Sequence, residues 1–256
     1  ISGSSSVASS TVAVAVDGLL QVGKTATAAG GSCPCAWSIT SVFVAGDRPV
    51  LVWHDSASDA NESTGITVYD GSGNISGMQL TAGTFSVGSG DDQTVDSTDL
   101  VKFDNDADED VMYKFVTTTL TVDATNTYAS DTIDILSGDT LTIGGSETLI
   151  AYNLTINGTL TSGGASSYTV QGDWVNNGTF NEGTSTVTFN GTTSEELNSG
   201  CANFDTCTAQ NFYNLTINKT AAGGSDDNLS LVTNHLRITN TLTITDGELI
   251  QGMLNV

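Results

Sequence analysis

The sequence predicts an all-β protein in two parts, an N-terminal β-sandwich followed by a β-solenoid. Three observations predict it. Tyr152-Asn153-Leu154-Thr155-Ile156-Asn157 returns letter for letter as Tyr213-Asn214-Leu215-Thr216-Ile217-Asn218. A strand-type segment that recurs in this way is the mark of stacked coils, and rungs of roughly 20 residues would separate the two copies by about three turns. Short Thr/Val/Leu/Ile alternations broken by Gly and Asn fill the rest of the chain, the period-2 pattern of half-buried strands. Finally, only 2 prolines and long Ser/Thr/Gly/Asn stretches leave few windows in which a helix could form.

Composition narrows the function classes. The chain has 256 residues and a hydrophobic fraction of 38%, enough for one large or two ordinary cores. Lys and Arg total 6 against 29 Asp and Glu, a formal charge of −23. Such a surface repels phosphate backbones and anionic lipid, so nucleic acid is set aside as a partner. It favours solubility and invites divalent cations. No apolar run approaches the roughly 20 residues that a membrane helix needs. Ile1-Ser2-Gly3-Ser4-Ser5-Ser6 reads as a processed or truncated beginning, and the C-terminal residues stop in mid-strand pattern.

The four cysteines fall in two close pairs, Cys33/Cys35 and Cys201/Cys207. Disulfides fit a secreted chain, whereas the CxC and Cx5C spacings lack the paired CxxC of common zinc sites. A local bridge can close the loop from Cys201 to Cys207. A direct Cys33–Cys35 bond is the harder geometry, with one proline between them, so the partners of these two stay open, another subunit included.

Along the chain, residues 1–10 are Ser-rich and expected to be a flexible or exchanged arm. Residues 11–87 are expected to form the sandwich. Thr11-Val12-Ala13-Val14-Ala15-Val16 alternates without a break and runs into an Asp17-Gly18 turn. Further strands are expected at Trp37–Val44, Pro49–Trp53 and Gly65–Tyr69, the last followed by Asp70-Gly71. Val12-Ala13-Val14-Ala15-Val16-Asp17-Gly18, Trp37 and Gly46-Asp47 resemble the Ig-like repeat domains of large bacterial adhesins. The Cys-Pro-Cys insertion before Trp37 departs from that outline. The strand at Thr11, Val12, Val14 and Val16 could also be donated into a neighbouring copy.

Residues 88–115 are read as an acidic junction and residues 116–256 as the solenoid. Inward Leu, Ile or Val beside outward Thr is read at Leu120–Val122, Thr132–Leu136, Thr140–Ile143, Leu154–Ile156, Tyr168–Val170, Thr186–Phe189, Leu215–Ile217, Leu236–Ile238 and Leu242–Ile244. Asn157-Gly158, Asn177-Gly178 and Asn190-Gly191 suit corners, since both residue types tolerate positive φ. Asn153-Leu154-Thr155-Ile156-Asn157-Gly158-Thr159-Leu160 and Gly172-Asp173-Trp174-Val175-Asn176-Asn177-Gly178-Thr179-Phe180 resemble the parallel β-helix segments of secreted and cell-surface proteins of bacteria and archaea. That resemblance implies architecture and an extracellular or cell-surface location, and it brings no catalytic residues. An up-and-down antiparallel sheet would give the same alternation.

Few residues promise chemistry. Asp104, Asp106, Asp108 and Asp110 place carboxylates at every second position, as a loop curling around calcium would. The loop is not an EF-hand, because Glu109 stands in the glycine position and Phe115 in that of the bidentate glutamate. Asp91, Asp92, Asp96 and Asp99 could complete a different cage. A solvated acidic linker is the plainer alternative. Asn61, Asn74, Asn153, Asn157, Asn177, Asn190, Asn214, Asn218 and Asn228 each begin an N-x-S/T sequon. Asn61, Asn74, Asn157, Asn177, Asn190 and Asn228 are the ones carried forward as glycosylation sites, with a stacked asparagine ladder as the competing explanation. Trp37, Trp53 and Trp174 could stack sugars, but a tryptophan in a β domain belongs more often to the core. For an enzyme, Asp131, Asp134 and Asp139 are candidate carboxylates and His54 and His235 stand isolated, so no catalytic set is assembled.

These readings converge on an extracellular structural protein without enzymatic activity, a subunit of a surface fibre, sheath or surface layer. Copies of itself, stacked head to tail into a filament through strand edges or uncapped rungs, are the expected partners. A calcium-dependent adhesin module binding surface glycans is the second reading. A polysaccharide-cleaving β-helix enzyme is the third.

Overall fold

The computed structural model describes residues 1–55, 57–103, 111–122, 131–201, 211–220, 228–232 and 235–251. The fold is all-β, and its larger part consists of parallel sheets. The N-terminal strands are β1 (Ser2–Ser5), β2 (Thr11–Val16), β3 (Leu19–Leu20), β4 (Ala26–Thr27), β5 (Cys35–Ser38), β6 (Arg48–Asp55), β7 (Ser63–Tyr69) and β8 (Met78–Leu80). Residues 1–10, expected as a flexible or exchanged arm, supply β1, which lies between antiparallel β5 and parallel β8 in a three-stranded sheet. Gly3 is required there, since a Cβ would strike the Met78 carbonyl and the Trp37 ring.

Strands β2, β6 and β7 pair antiparallel, and Asp17 (φ 50°) and Gly18 (φ 80°) form the tight turn that brings β3 back onto β2. Alternation sorts β2 between two cores. Val12, Val14 and Val16 face the three-stranded sheet and pack with Trp37, Val50, Val52, Met78 and Leu80. Ala13 and Ala15 point the other way, joining Leu51, Trp53 and Ile66 in the main core. A strand covered on both faces can be apolar at every position, which is why β2 and β6 show no polar row.

Beyond these come β9 (Thr84–Val87), β10 (Thr94–Asp96), helix α1 (Ser97–Leu100), β11 (Tyr113–Val116), β12 (Thr119–Val122), β13 (Thr132–Ile135), β14 (Thr140–Gly144) and β15 (Thr148–Ala151). They are followed by β16 (Asn153–Ile156), β17 (Thr159–Gly163), β18 (Ser167–Val170), β19 (Trp174–Asn176), β20 (Thr179–Asn181), β21 (Thr186–Phe189) and β22 (Glu195–Asn198). The last four are β23 (Phe212–Asn218), β24 (Asn228–Leu231), β25 (Ile238–Asp246) and β26 (Glu248–Gln251).

Three sheets result. One runs β3-β2-β6-β7-β9-β13-β16-β19-β22-β24-β26 with β4 beside β2, the second β10-β14-β17-β20, and the third β11-β12-β15-β18-β21-β23-β25. From β13 to β21 the chain visits first, second and third sheet in turn, then starts again. Each strand from β13 to β19 pairs in parallel with the strand three places on. Aliphatic or aromatic residues stand opposite one another in every pair, as in Leu141 with Leu160, Leu160 with Phe180 and Tyr168 with Val187. These rows meet in one core running the length of the stack. Parallel pairing begins earlier than residue 116, because β9 already pairs with β13, and β10, within residues 88–115, pairs with β14.

The corner glycines are explained differently from expectation. Gly158, Gly178 and Gly191 do not have positive φ. A Cβ at each would instead strike backbone, on Leu136 O, Gly158 O and Gln171 O respectively. Glycine is demanded by the close passage of one turn of backbone over the next.

At the N-terminal end the core is covered. Asp96 and Asp99 form a capping box at α1, and Leu100 and Phe103 beneath it are buried. The Tyr113 ring packs on Phe85 at 4.8 Å, its hydroxyl donates to Leu100 O, and the Met112 N–H donates to Thr64 Oγ1.

Candidate functional site: the open face at β25 and β26

Strand β25 lies last in the third sheet and β26 last in the first, so each carries a backbone edge with no neighbour among the described residues. Leu242 stands opposite Leu215, and Ile244 opposite Ile217. Leu215 and Ile217 are completely buried, whereas Leu242 is 44% and Ile244 50% exposed. The same inward row of the same sheet is thus closed at one layer and open at the next. Beside it, Leu231, His235, Leu236, Leu249 and Gln251 line a cleft. At the other extreme of the first sheet β3 exposes Leu19 at 69% and Leu20 at 48%. Open strand edges with uncovered aliphatic rows are the chemistry of strand addition and stacking.

The strand expected to be exchanged, with Thr11, Val12, Val14 and Val16, is β2. It occupies its own sheet, paired with β6 on one side and with β3 and β4 on the other. Its three valines are buried.

Cys33 and Cys35 are bonded to each other, with Cα atoms 4.3 Å apart, although the spacing had suggested that this pairing was the harder one. The Cys33–Pro34 peptide is cis. Cys201 is buried, and Cys207 lies outside the described residues. Asp104, Asp106, Asp108 and Asp110 also lie outside them, so the expected calcium loop is not described. Among the described residues no group of three metal-ligating side chains gathers. Of the upstream acids, Asp96 and Asp99 serve the α1 cap. Burial raises the Asp91 pKa, helped by the nearby charges of Asp70 and Asp92.

The sequons divide. Asn61, Asn74 and Asn177 are exposed, while Asn157, Asn190 and Asn228 are half-buried. A ladder runs through two of them: Asn177 Nδ2 donates to Asn157 Oδ1 at 3.0 Å across 20 residues, and Asn157 Nδ2 donates to Asp134 at 2.8 Å. Asn240 Nδ2 donates to Asn214 Oδ1 in the same manner. The three tryptophans are core residues. Trp37 is 4% exposed, and Trp53 and Trp174 are fully buried, the last against Phe180 and Phe212. None offers a face to a sugar.

The carboxylates considered for catalysis have structural work. Asp139 is buried in a corner and accepts the N–H groups of Ser89 and Gln93. Burial pushes its pKa up to about 6, against the pull of those two donors. Asp134 holds Asn157, and Asp131 is buried.

Sequence reasoning missed one constellation. Ser5 Oγ lies 2.9 Å from His54 Nε2, and His54 Nδ1 lies 2.9 Å from Asn61 O and 3.0 Å from Ser63 Oγ. A carbonyl can only accept, so Nδ1 carries the ring proton, and the Ser5 hydroxyl has one proton to share between Nε2 and the Val7 carbonyl 2.8 Å away. This has the outline of a nucleophile and its base, but Ser5 is 1% exposed and His54 not at all. It is a polar latch between β1 and β6. Burial lowers the His54 pKa, with the Asn61 carbonyl acting the other way. Separations of 49 and 9 residues along the chain hid it.

No helix among the described residues is long and apolar enough to cross a membrane. No family model, curated protein or solved structure matches this chain.

Proposed function

We propose that the chain is an extracellular structural protein, a β-sandwich of Ig-like kind carrying a β-solenoid, that builds a surface fibre, sheath or layer by stacking on copies of itself. The observation that carries this reading is the row of Leu242 and Ile244, uncovered among the described residues and in register with buried Leu215 and Ile217. Water against such a row is unfavourable, and another β layer is the surface that fits it. The open edge at β3, with Leu19 and Leu20 exposed, makes a second copy a suitable occupant. Contact between two unlike ends does not close on itself, so it propagates into a filament. A Cys33–Cys35 bond suits an oxidising exterior. The charge of −23 keeps unassembled subunits apart in solution.

Sedimentation velocity and electron microscopy over a range of concentrations test the reading. Ordered end-to-end assembly is expected, lost in a Leu242→Asp/Ile244→Asp double variant that remains folded. A monomer at every concentration would overturn it.

A further inference from the structure

The upper part of the stack holds a buried pair of opposite charges. Lys219 follows β23 and Glu195 opens β22, and Lys219 Nζ is in direct contact with Glu195 Oε2. Their side chains are 0% and 3% exposed. The contact is not a well-formed hydrogen bond, for Glu195 Oε2 is among the buried oxygens that accept none of normal geometry. Glu195 Oε1 is held separately, by the Thr193 hydroxyl at 2.9 Å.

The backbone makes room for this meeting. Val170, Phe189 and Ile217 stand opposite one another in successive strands of the third sheet. Two residues further along the sequence from each of these stand Gly172, Gly191 and Lys219. A Cβ at Gly191 would come within 2.5 Å of Glu195 Oε1, so the glycine leaves the space that Glu195 fills. Lysine stands in the corresponding place one turn later and reaches the carboxyl from the third sheet, while Glu195 belongs to the first.

We propose that Lys219 and Glu195 are joined by an amide bond formed within the folded chain. With side chains 0% and 3% exposed, two full charges are costly, and proton transfer from Nζ to Oε2 converts them to a neutral amine and a neutral acid. The amine lone pair then attacks Cδ. The Thr193 hydroxyl supports the charge that gathers on Oε1. A second proton passes from Nζ to Oε2, the Cδ–Oε2 bond breaks and one water leaves. The product is the Nζ–Cδ amide, with Oε1 as its carbonyl, still hydrogen-bonded to Thr193. Nothing is oxidised or reduced, and no co-reactant is consumed. The fixed contact of nucleophile and electrophile supplies the rate, as in other intramolecular acyl transfers. The bond ties the first sheet to the third, between the start of β22 and the residue after β23.

Intact-mass measurement on the fully reduced full-length protein decides the matter. It should be lighter than its sequence by one water. After cleavage at Asp and Glu, the peptides bearing residues 195 and 219 should travel as one branched species. Lys219→Met should restore the full sequence mass, and Thr193→Val should leave a fraction unreacted after refolding. Full sequence mass and separate peptides in the unsubstituted protein would show an ion pair only and overturn the proposal, whether or not the variants fold.

Discussion

The two ends of the stacked sheets differ in what lies over their last aliphatic layer. At the N-terminal end, Ala13, Ala15, Leu51, Trp53 and Ile66 of the antiparallel strands, with Leu100 and Phe103, close the core. At the other, β25 offers Leu242 and Ile244 to solvent from positions that are buried one layer earlier. β25 carries the same Leu-Thr-Ile alternation as the buried layer of β23 before it. Burial at a given register position is decided by whether another layer sits above it, and alternation says only which way the side chain points.

That contrast can be broken from either side. The largest effect is expected for Ile217→Asp, which places an unpaired charge in the closed layer and should cost at least about 4 kcal/mol in denaturant unfolding. Trp53→Ala, at the covered end, removes a fully buried ring and should cost about 3–5 kcal/mol by the same measurement.

Acid separates two buried groups with opposite signs. His54 has a lowered folded pKa, so the unfolded chain binds its proton more readily. Its contribution is complete above 6.5 and is lost as pH falls below that value. Asp139 is raised from 3.8 to about 6, so its contribution is complete below 3.8 and lost as pH rises to about 6. Thermal melts across this range should show a shallower acid-side loss in His54→Gln. Asp139→Asn should remove the opposing slope between 3.8 and about 6.

Asn177→Ala, which cuts one bond of the asparagine ladder on an exposed corner, should cost only about 0.5–1.5 kcal/mol. Smallest of all should be Ile244→Asp. On the stability of the isolated chain it should act within about 0.5 kcal/mol, because no layer among the described residues covers the side chain. Its effect belongs to assembly, read by sedimentation. If Ile217→Asp and Ile244→Asp destabilise the isolated chain equally, the open face does not exist in solution.

Much of the strand content was legible because it is local. Each Leu/Ile/Val beside Thr reports a side-chain direction, and the repeated YNLTIN segment supplies Asn153–Ile156 of β16 in its first copy and all but the first residue of β23 in its second. The Asp17-Gly18 turn was legible for the same reason, since φ preference is a property of single residues. The glycines at 158, 178 and 191 were located correctly but misexplained, because the need for them comes from a different turn of backbone. The Ser5–His54 latch, the Lys219–Glu195 pair and the Cys33–Cys35 bond left no reliable signal in spacing.

By itself, then, the sequence determined that this chain is made of strands, where many of them bend, and which side chains face inward. Only the tertiary structure decided which strands stack in parallel, that one apolar row stays uncovered among the described residues, and that a lysine replaces glycine beside a buried glutamate. The reason is physical. Alternation and turn chemistry act within a few residues, whereas stacking, burial and charge pairing are set between segments about 20 or more residues apart.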